Sequence, residues 1–166
     1  MSNQNCARGD LIDEIIGKYS DVVFRVAFIH TKNRADADDV FQEVFVKLFR
    51  TDVVFKSDEH VKAWLIRVTT NASLDLLKSA WNKKTTEMSG ELTHEDEHDF
   101  ETGNLTRLVK SLPSKYRAVV FLYYYEEMPI EEIAKILKSR KGTVKSQLSR
   151  ARSLLKNKLN GGFADV

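Results

Sequence analysis

One cysteine, two prolines and seven glycines are all that this 166-residue sequence holds of the residues that staple or punctuate a chain. The lone cysteine, Cys6, excludes an internal disulfide framework and any cysteine-rich zinc site. Its place near the N-terminus makes it an incidental thiol. So little glycine and proline argues against a turn-rich all-β fold and against long disorder. Long apolar runs are missing too, and none approaches membrane-spanning length. The opening MSNQNCARGD has no apolar core of the kind a signal peptide needs, so a cytoplasmic location is expected. What is present is 42% hydrophobic and 30% charged, the make-up of a folded soluble protein with room for one domain or two small ones. Net charge is only +2, but its distribution is uneven.

The most informative absence is acid near the C-terminus. Residues 133–164 contain no Asp or Glu. Ile130, Ile133, Ala134 and Leu137 recur at helical spacing. Residues 138–142 (KSRKG) then interrupt the pattern, with Gly142 the expected breaker. A second helix follows with Val144, Leu148, Ala151 and Leu155 on one face. Its other face carries Lys145, Ser146, Gln147, Ser149, Arg150, Arg152 and Lys156. A small residue at the crossing, a tight break and an acid-free second helix are the footprint of a helix-turn-helix whose second helix enters the major groove of DNA. The competing reading is an amphipathic helix pair with a solvated basic face. The motif alone points to DNA without saying which kind of DNA-binding protein this is.

Upstream, Asp10 is the expected N-cap of a helix running to about Thr31, with Leu11, Ile15, Tyr19, Val22, Val26 and Ile29 as its core stripe. Residues 32–34 read as a connector. The next helix starts near Ala35 and buries Val40, Phe41, Val44, Phe45, Leu48 and Phe49. Asp36, Asp38, Asp39, Gln42 and Glu43 crowd its first turns, where acids suit the helix dipole. Residues 51–57 are loop-like. Asp58 is the expected cap of a third helix with Val61, Trp64, Leu65, Val68, Ala72 and Leu76 on one face and Arg67, Thr69, Thr70, Asn71, Asp75 and Lys78 elsewhere. Trp64 fits the core pattern, whereas Trp81 fits a core or a base-stacking position equally well.

Residues 85–104 carry seven acids and no Lys or Arg, and they have no apolar period, which makes them a flexible linker. Within them His94-Glu95-Asp96-Glu97-His98 spells H-E-x-x-H. That signature needs both histidines on a buried helix and a third ligand. The polar flanks supply neither, so no metal site is expected. Beyond the linker, Leu105, Leu108, Val109 and Leu112 form a short helix ending at Pro113. Ser114 is expected to cap the next, in which Tyr116, Val119, Val120 and Tyr123 pack beneath the helix-turn-helix.

Four stretches occur here in one order: DADDVFQEVFVKLF, AWLIRVTTNASLDLLK, LPSKYRAVVFLYYYEEMPIEEIA and GTVKSQLSRARSLLK. Together they resemble the extracytoplasmic-function group of bacterial sigma factors, over about residues 19–159. The resemblance implies an all-α protein of two small helical domains joined by a flexible acidic linker: residues 1–84, 85–104 and 105–166. It implies that Asp36, Asp39, Gln42 and Glu43 bind core RNA polymerase. It places Phe55, Lys56, Ser57, Asp58 and His60 in the loop that receives a flipped −10 base, with Asn71 recognising that base. In the second domain Lys145, Ser146 and Ser149 match positions facing −35 bases. Arg150 matches a phosphate contact, and Lys141 and Thr143 stand at the entrance. In the family the linker threads the polymerase cleft, where acids would mimic nucleic acid. The chain departs from the family in the helix-turn-helix break, where Lys138 and Ser139 replace the usual Gly and apolar residue. It departs again at Pro129, which stands where a Ser or Thr cap is usual. The implied partners are core RNA polymerase, promoter DNA and an anti-sigma factor, often membrane-bound. No cofactor, small-molecule substrate or catalysis is implied. A conventional helix-turn-helix regulator acting without polymerase is the alternative, though the first domain shows neither a ligand pocket nor a dimer seam.

Overall fold

The computed structural model describes residues 2–86 and 104–164. Among them every regular element is a helix. The chain divides into two compact units, Met1–His94 and Glu95–Val166. No helix of the described residues is long and apolar enough to cross a membrane.

The first unit is built from α1 (Ser2–Thr31), α2 (Arg34–Arg50) and α3 (Asp58–Thr86). Ile12, Ile15, Tyr19, Val23 and Ala27 of α1 pack with Ala37, Val40, Val44 and Leu48 of α2. Val61, Trp64, Leu65 and Ala72 of α3 close the cluster. Each large side chain buried there stabilises the unit by about 1.5–3 kcal/mol. Phe24, Phe41 and Phe45 flank it edge to face, with ring centroids 6.5 Å and 4.8 Å apart along the series.

Several expected details are corrected. The helix expected to start at Asp10 begins at Ser2, so Asp10 is interior and caps nothing. Only Gly9 weakens that stretch, and one glycine costs a helix about 1 kcal/mol without ending it. Leu11 is 50% exposed, and Ile12 takes its place in the core. Two four-residue steps back from Tyr19 rotate by about 80° on a helix of 3.6 residues per turn. Phe49 likewise leaves the core and is 68% exposed. The cap of α3 is Ser57 and not Asp58: the His60 N–H donates to Ser57 Oγ at 3.2 Å, and Asp58 is the first helical residue. Thr69 and Thr70, expected off the apolar face, are fully buried, and so is Ser73. Thr69 Oγ1 donates to the Leu65 carbonyl at 2.6 Å and Ser73 Oγ to that of Thr69 at 2.8 Å, which removes much of the penalty of burying a hydroxyl. Trp64 is buried as expected, while Trp81 is 68% exposed. Helix α3 runs to Thr86, into the stretch assigned to the linker. Residues 87–103 of that linker, His94 and His98 included, lie outside the described residues, and Asn104 opens α4.

The second unit holds α4 (Asn104–Lys110), α5 (Ser114–Val120) running straight into a π-helical turn (Phe121–Tyr125), α6 (Ile130–Ile136) and α7 (Lys141–Ala164). Val109, Leu112, Val119, Phe121, Leu122, Ile133, Val144, Leu148 and Ala151 are buried to 2% exposure or less. Ser114 does not cap α5. Pro113 holds the cap position, and its carbonyl accepts from the N–H groups of Tyr116 and Arg117 at 3.0 Å. Arg117, only 3% exposed, donates through Nη1 to the carbonyls of Leu112 at 3.0 Å and Lys110 at 3.3 Å. Burial pulls its pKa down to about 10, which leaves it charged at neutral pH.

The break in the helix-turn-helix is not at Gly142, which is the second residue of α7. It is at Lys138, whose φ of 52° is left-handed. The Ser139 N–H donates to the Ala134 carbonyl at 2.9 Å, and that of Lys138 to Lys135 at 3.3 Å. This pair of bonds is the Schellman closure of α6, and glycine is the residue it favours. Pro129 caps the other end of α6 without a side-chain bond.

Candidate nucleic-acid interface

The apolar face of α7 is sealed into the second unit by Val144, Leu148 and Ala151, with Leu155 half-buried. Burying that face turns the opposite one outward. Lys141, Thr143, Lys145, Ser146, Ser149 and Arg150 are all exposed, and Gln147 is half-buried. An open groove of about 650 Å³ runs along this face, and Thr143, Ser146 and Arg150 share its lining with Lys115, Tyr116 and Arg140. Of the last three, only Tyr116 stands out in the sequence, as a residue packing beneath the helix-turn-helix; Lys115 and Arg140 carry no signal there. They come from the start of α5 and from the turn, and only folding brings their cations beside α7. Lys141 pairs with Glu131 of α6 at 3.4 Å. The backbone N–H of Glu131 itself, and then the Lys141 ammonium, hold the Glu131 carboxyl below the usual glutamate range. Further along α7, Arg152 Nε donates to the Tyr124 hydroxyl at 2.6 Å, and its guanidinium lies over the Tyr123 and Tyr124 rings.

In the first unit the surface of α2 is divided. Asp38, Asp39, Gln42 and Glu43 are exposed in its first half, and Val46 and Phe49 in its second. Glu43 pairs with Lys47 at 3.0 Å, and Asp38 lies 3.9 Å from Arg34. Asp36 differs from its neighbours because Asn33 engages it twice. The Asp36 N–H donates to Asn33 Oδ1 at 2.8 Å, and Asn33 Nδ2 donates to Asp36 Oδ2 at 2.7 Å. This is a reciprocal N-cap, in which the side chain at the third helical position answers the cap residue. Its signal in the sequence is Asn followed three residues later by Asp, within the expected connector at residues 32–34 and the turn after it.

Residues 51–57 join α2 to α3 and bring together the residues matched to the −10 pocket. Phe55 sits edge to face against Trp64 and His60, with centroids 5.7 Å and 5.4 Å away. The Lys56 N–H donates to His60 Nδ1 at 3.1 Å, so His60 is held from both Lys56 and Ser57. Asp58 accepts from Lys18 Nζ at 2.7 Å, and its carbonyl accepts from the Tyr19 hydroxyl at 3.2 Å. The Asp58 carboxylate raises the Lys18 pKa above the usual lysine range. Asn71 lies three helical turns beyond His60 on the same side of α3 and is half-buried. A cavity of about 430 Å³ opens between this loop and α1, with Phe55, Lys56, Ser57 and Asp58 among its walls. That volume falls within the range of about 300–1,000 Å³ typical of small-ligand clefts. Arg8, Lys18 and Tyr19 reach the loop from α1, and nothing in their local sequence marks them for it.

Residues 15–83 match the Sigma-70 region 2 family, and residues 102–155 match Sigma-70, region 4. The RNA polymerase sigma factor SigV of Bacillus subtilis (strain 168) is 29% identical over 140 residues, spanning 82% of this chain and 83% of SigV. The ECF RNA polymerase sigma factor SigM of the same bacterium is 32% identical over 165 residues, spanning 93% of this chain and 98% of SigM. The chain belongs to the extracytoplasmic-function sigma factors. Its fold is similar to that of the sigma factor RpoE solved in complex with the anti-sigma factor NepR from Bartonella quintana. There the TM-score is 0.71 at 18% identity, over 89% of this chain and 96% of that one. CnrH, solved with the cytosolic domain of CnrY, gives a TM-score of 0.63 at 21% identity, over 90% of this chain and 88% of that one. Sigma factors are non-enzymatic transcription initiation factors, and this one is an alternative sigma factor that works with core RNA polymerase on promoter DNA.

Proposed function

We propose that this sigma factor docks on core RNA polymerase through the exposed face of α2, reads the −10 element with residues 55–60 and Asn71, and reads the −35 element with the first half of α7. The observation that carries the reading is the outer face of α7. Lys145, Ser146, Ser149 and Arg150 stand exposed on a helix whose apolar face is sealed, in a stretch without a single acid. Arg150, Arg140 and Lys115 supply phosphate attraction along the groove, while Lys145, Ser146 and Ser149 reach base edges. The signs of charge divide the work: Asp39, Gln42 and Glu43 suit a basic protein surface, and α7 suits a polyanion. Asp36 contributes by fixing the start of α2 through Asn33.

At the −10 element an extruded base must be compensated for a few kcal/mol of lost stacking. Phe55 and His60 offer ring surfaces beside the loop, and the Asn71 amide both donates and accepts. The protein adds no catalysis of its own; the polymerase makes the RNA. It acts in the cytoplasm, and an anti-sigma factor, membrane-bound in many such systems, holds it inactive. The exposed apolar residues Val46, Phe49 and Val54 give such a partner something to cover. Residues 1–84 and 105–166 divide polymerase and −10 binding from −35 binding.

The test is co-elution of the purified chain with bacterial core RNA polymerase, followed by promoter selection with the complex. A stoichiometric complex that initiates only on selected promoters is expected. Specific DNA binding by the free chain, with no polymerase complex, would replace this reading with that of an ordinary helix-turn-helix regulator.

A further inference from the structure

In the loop at residues 51–57, Phe55, Lys56 and Ser57 are held against α3. Ahead of them Val53 is 42% and Val54 81% exposed. Both ends of the loop are also tied to α1. At the start, Arg8 Nη1 donates to Asp52 Oδ1 at 3.1 Å, and Nη2 donates to the carbonyls of Thr51 and of Phe49, the latter at 3.4 Å. At the end, Lys18 and Tyr19 hold the side chain and carbonyl of Asp58. Between these ties lies the 430 Å³ cavity, with Arg8 on its wall beside Phe55, Lys56 and Ser57. Arg8 lies ahead of residues 15–83, the stretch matched to region 2.

We propose that Arg8 is a positioning residue for −10 selectivity: the N-terminal turns of α1 clamp the start of the −10-reading loop, and so set which base its pocket accepts. The inference rests on the proposed role of that loop.

The chemistry favours arginine in this place. The carbonyls of Phe49 and Thr51 lie at the C-terminal end of α2, where the last carbonyls lack helical partners and the dipole is negative. A guanidinium spreads its donors over a planar fork and so spans two carbonyls and a carboxylate, whereas an ammonium offers its three donors from a single point. The Asp52 side chain is 94% exposed, so its ion pair alone adds little; capture of the carbonyls is what fixes the chain path. Lys18 and Tyr19 secure the far end, so losing Arg8 frees one end of the loop and leaves the packing of α3 intact.

The experiment uses full-length protein in holoenzyme with bacterial core RNA polymerase, and a DNA pool randomised over both promoter elements. Wild type is compared with Arg8→Ala, Arg8→Lys, Asp52→Ala and Phe55→Ala. Arg8→Ala should blunt enrichment at −10 by about two- to fivefold, the scale of an exposed charged contact. It should leave core affinity and the −35 preference unchanged. Arg8→Lys should fall between, and Asp52→Ala should lie near wild type. Exchange of the Lys56 and His60 amides should quicken in Arg8→Ala while that of Leu65 and Ile66 does not. An unchanged −10 preference in Arg8→Ala, with Phe55→Ala blunted, overturns the clamp and leaves the reading loop standing. Equal loss of both preferences also overturns it, because the effect is then general. If Phe55→Ala changes nothing either, the reading loop itself falls, and the clamp with it.

Discussion

Asp36 and Asp39 lie on neighbouring turns of one acidic surface, yet the structure gives them different work. Replacing Asp36 with Ala removes the bond from Asn33 Nδ2 to Asp36 Oδ2, 2.7 Å long and half-buried. A bond of that kind contributes about 1 kcal/mol net. Losing an acid from the first turn of α2 removes roughly 0.3–1 kcal/mol more. The backbone half of the cap survives, because the residue 36 N–H still meets Asn33 Oδ1. Asp36→Ala should therefore lower stability by about 1–2 kcal/mol, with each kcal/mol worth about 4–8 °C of Tm in a unit of this size. Asn33→Ala removes both halves and should cost at least as much. Asp39 is exposed and makes no such bond, so Asp39→Lys should change stability by no more than about 0.5 kcal/mol. It should weaken core polymerase binding by about tenfold or more, since reversing a charge replaces attraction with repulsion. Thermal melting followed by circular dichroism reads the first quantity, and titration of labelled protein with core polymerase reads the second. If Asp36→Ala left Tm untouched while weakening polymerase binding as much as Asp39→Lys, the division of labour between cap and interface would be wrong.

Lys138→Gly should stabilise the second unit by about 1 kcal/mol, since it relieves a left-handed side chain at the end of α6; the rise in its melting transition checks this. Leu148→Ala, at a site 2% exposed between α7 and the core, should cost about 2–5 kcal/mol and abolish −35 DNA binding, while the first unit's melting and polymerase binding persist. The Glu131 carboxyl titrates below its unfolded value, so its small contribution is present above the unfolded glutamate pKa and lost as pH falls through the folded one. Lys141→Ala should move its NMR-detected titration up toward the ordinary value; no movement would show that the Lys141 ammonium does not hold it down.

The periodicity of apolar residues is a coarse signal, and it located what is coarse. Val40, Val44 and Leu48, and later Val144, Leu148 and Ala151, recur at helical spacing and are buried. The misses have physical causes. Leu11 and Phe49 lie at stripe edges, where accumulated rotation turns a side chain outward. Thr69 reads as polar surface because a sequence does not reveal which hydroxyls bond back to their own helix. Glycine usually marks such a break, which makes Gly142 the expected one and Lys138 the exception. Among the described residues the left-handed positions belong to Lys32, Glu127 and Lys138, and helix-end bonds close around Lys32 and Lys138. The candidate site was legible where it follows helix faces, as on α7 and α2. Arg8, Lys115 and Arg140 were not legible, because each acts across a long loop or a turn, and no local pattern encodes that distance.

Helix α7 is continuous for 24 residues, or about 36 Å. The positions proposed to face DNA occupy its first turns. Near the other end, Lys158 Nζ grips Ser111 just past α4, at 2.6 Å from Oγ and 3.3 Å from the carbonyl. The helix is thus a stiff lever with its handle far from its tip. A tilt of about 5° at one end displaces the other by about 3 Å, a whole hydrogen-bond length. Under the proposed −35 role, promoter reading is open to control from the remote turns, by anything that loosens or tightens the grip on Ser111, without a change to the side chains proposed to face bases.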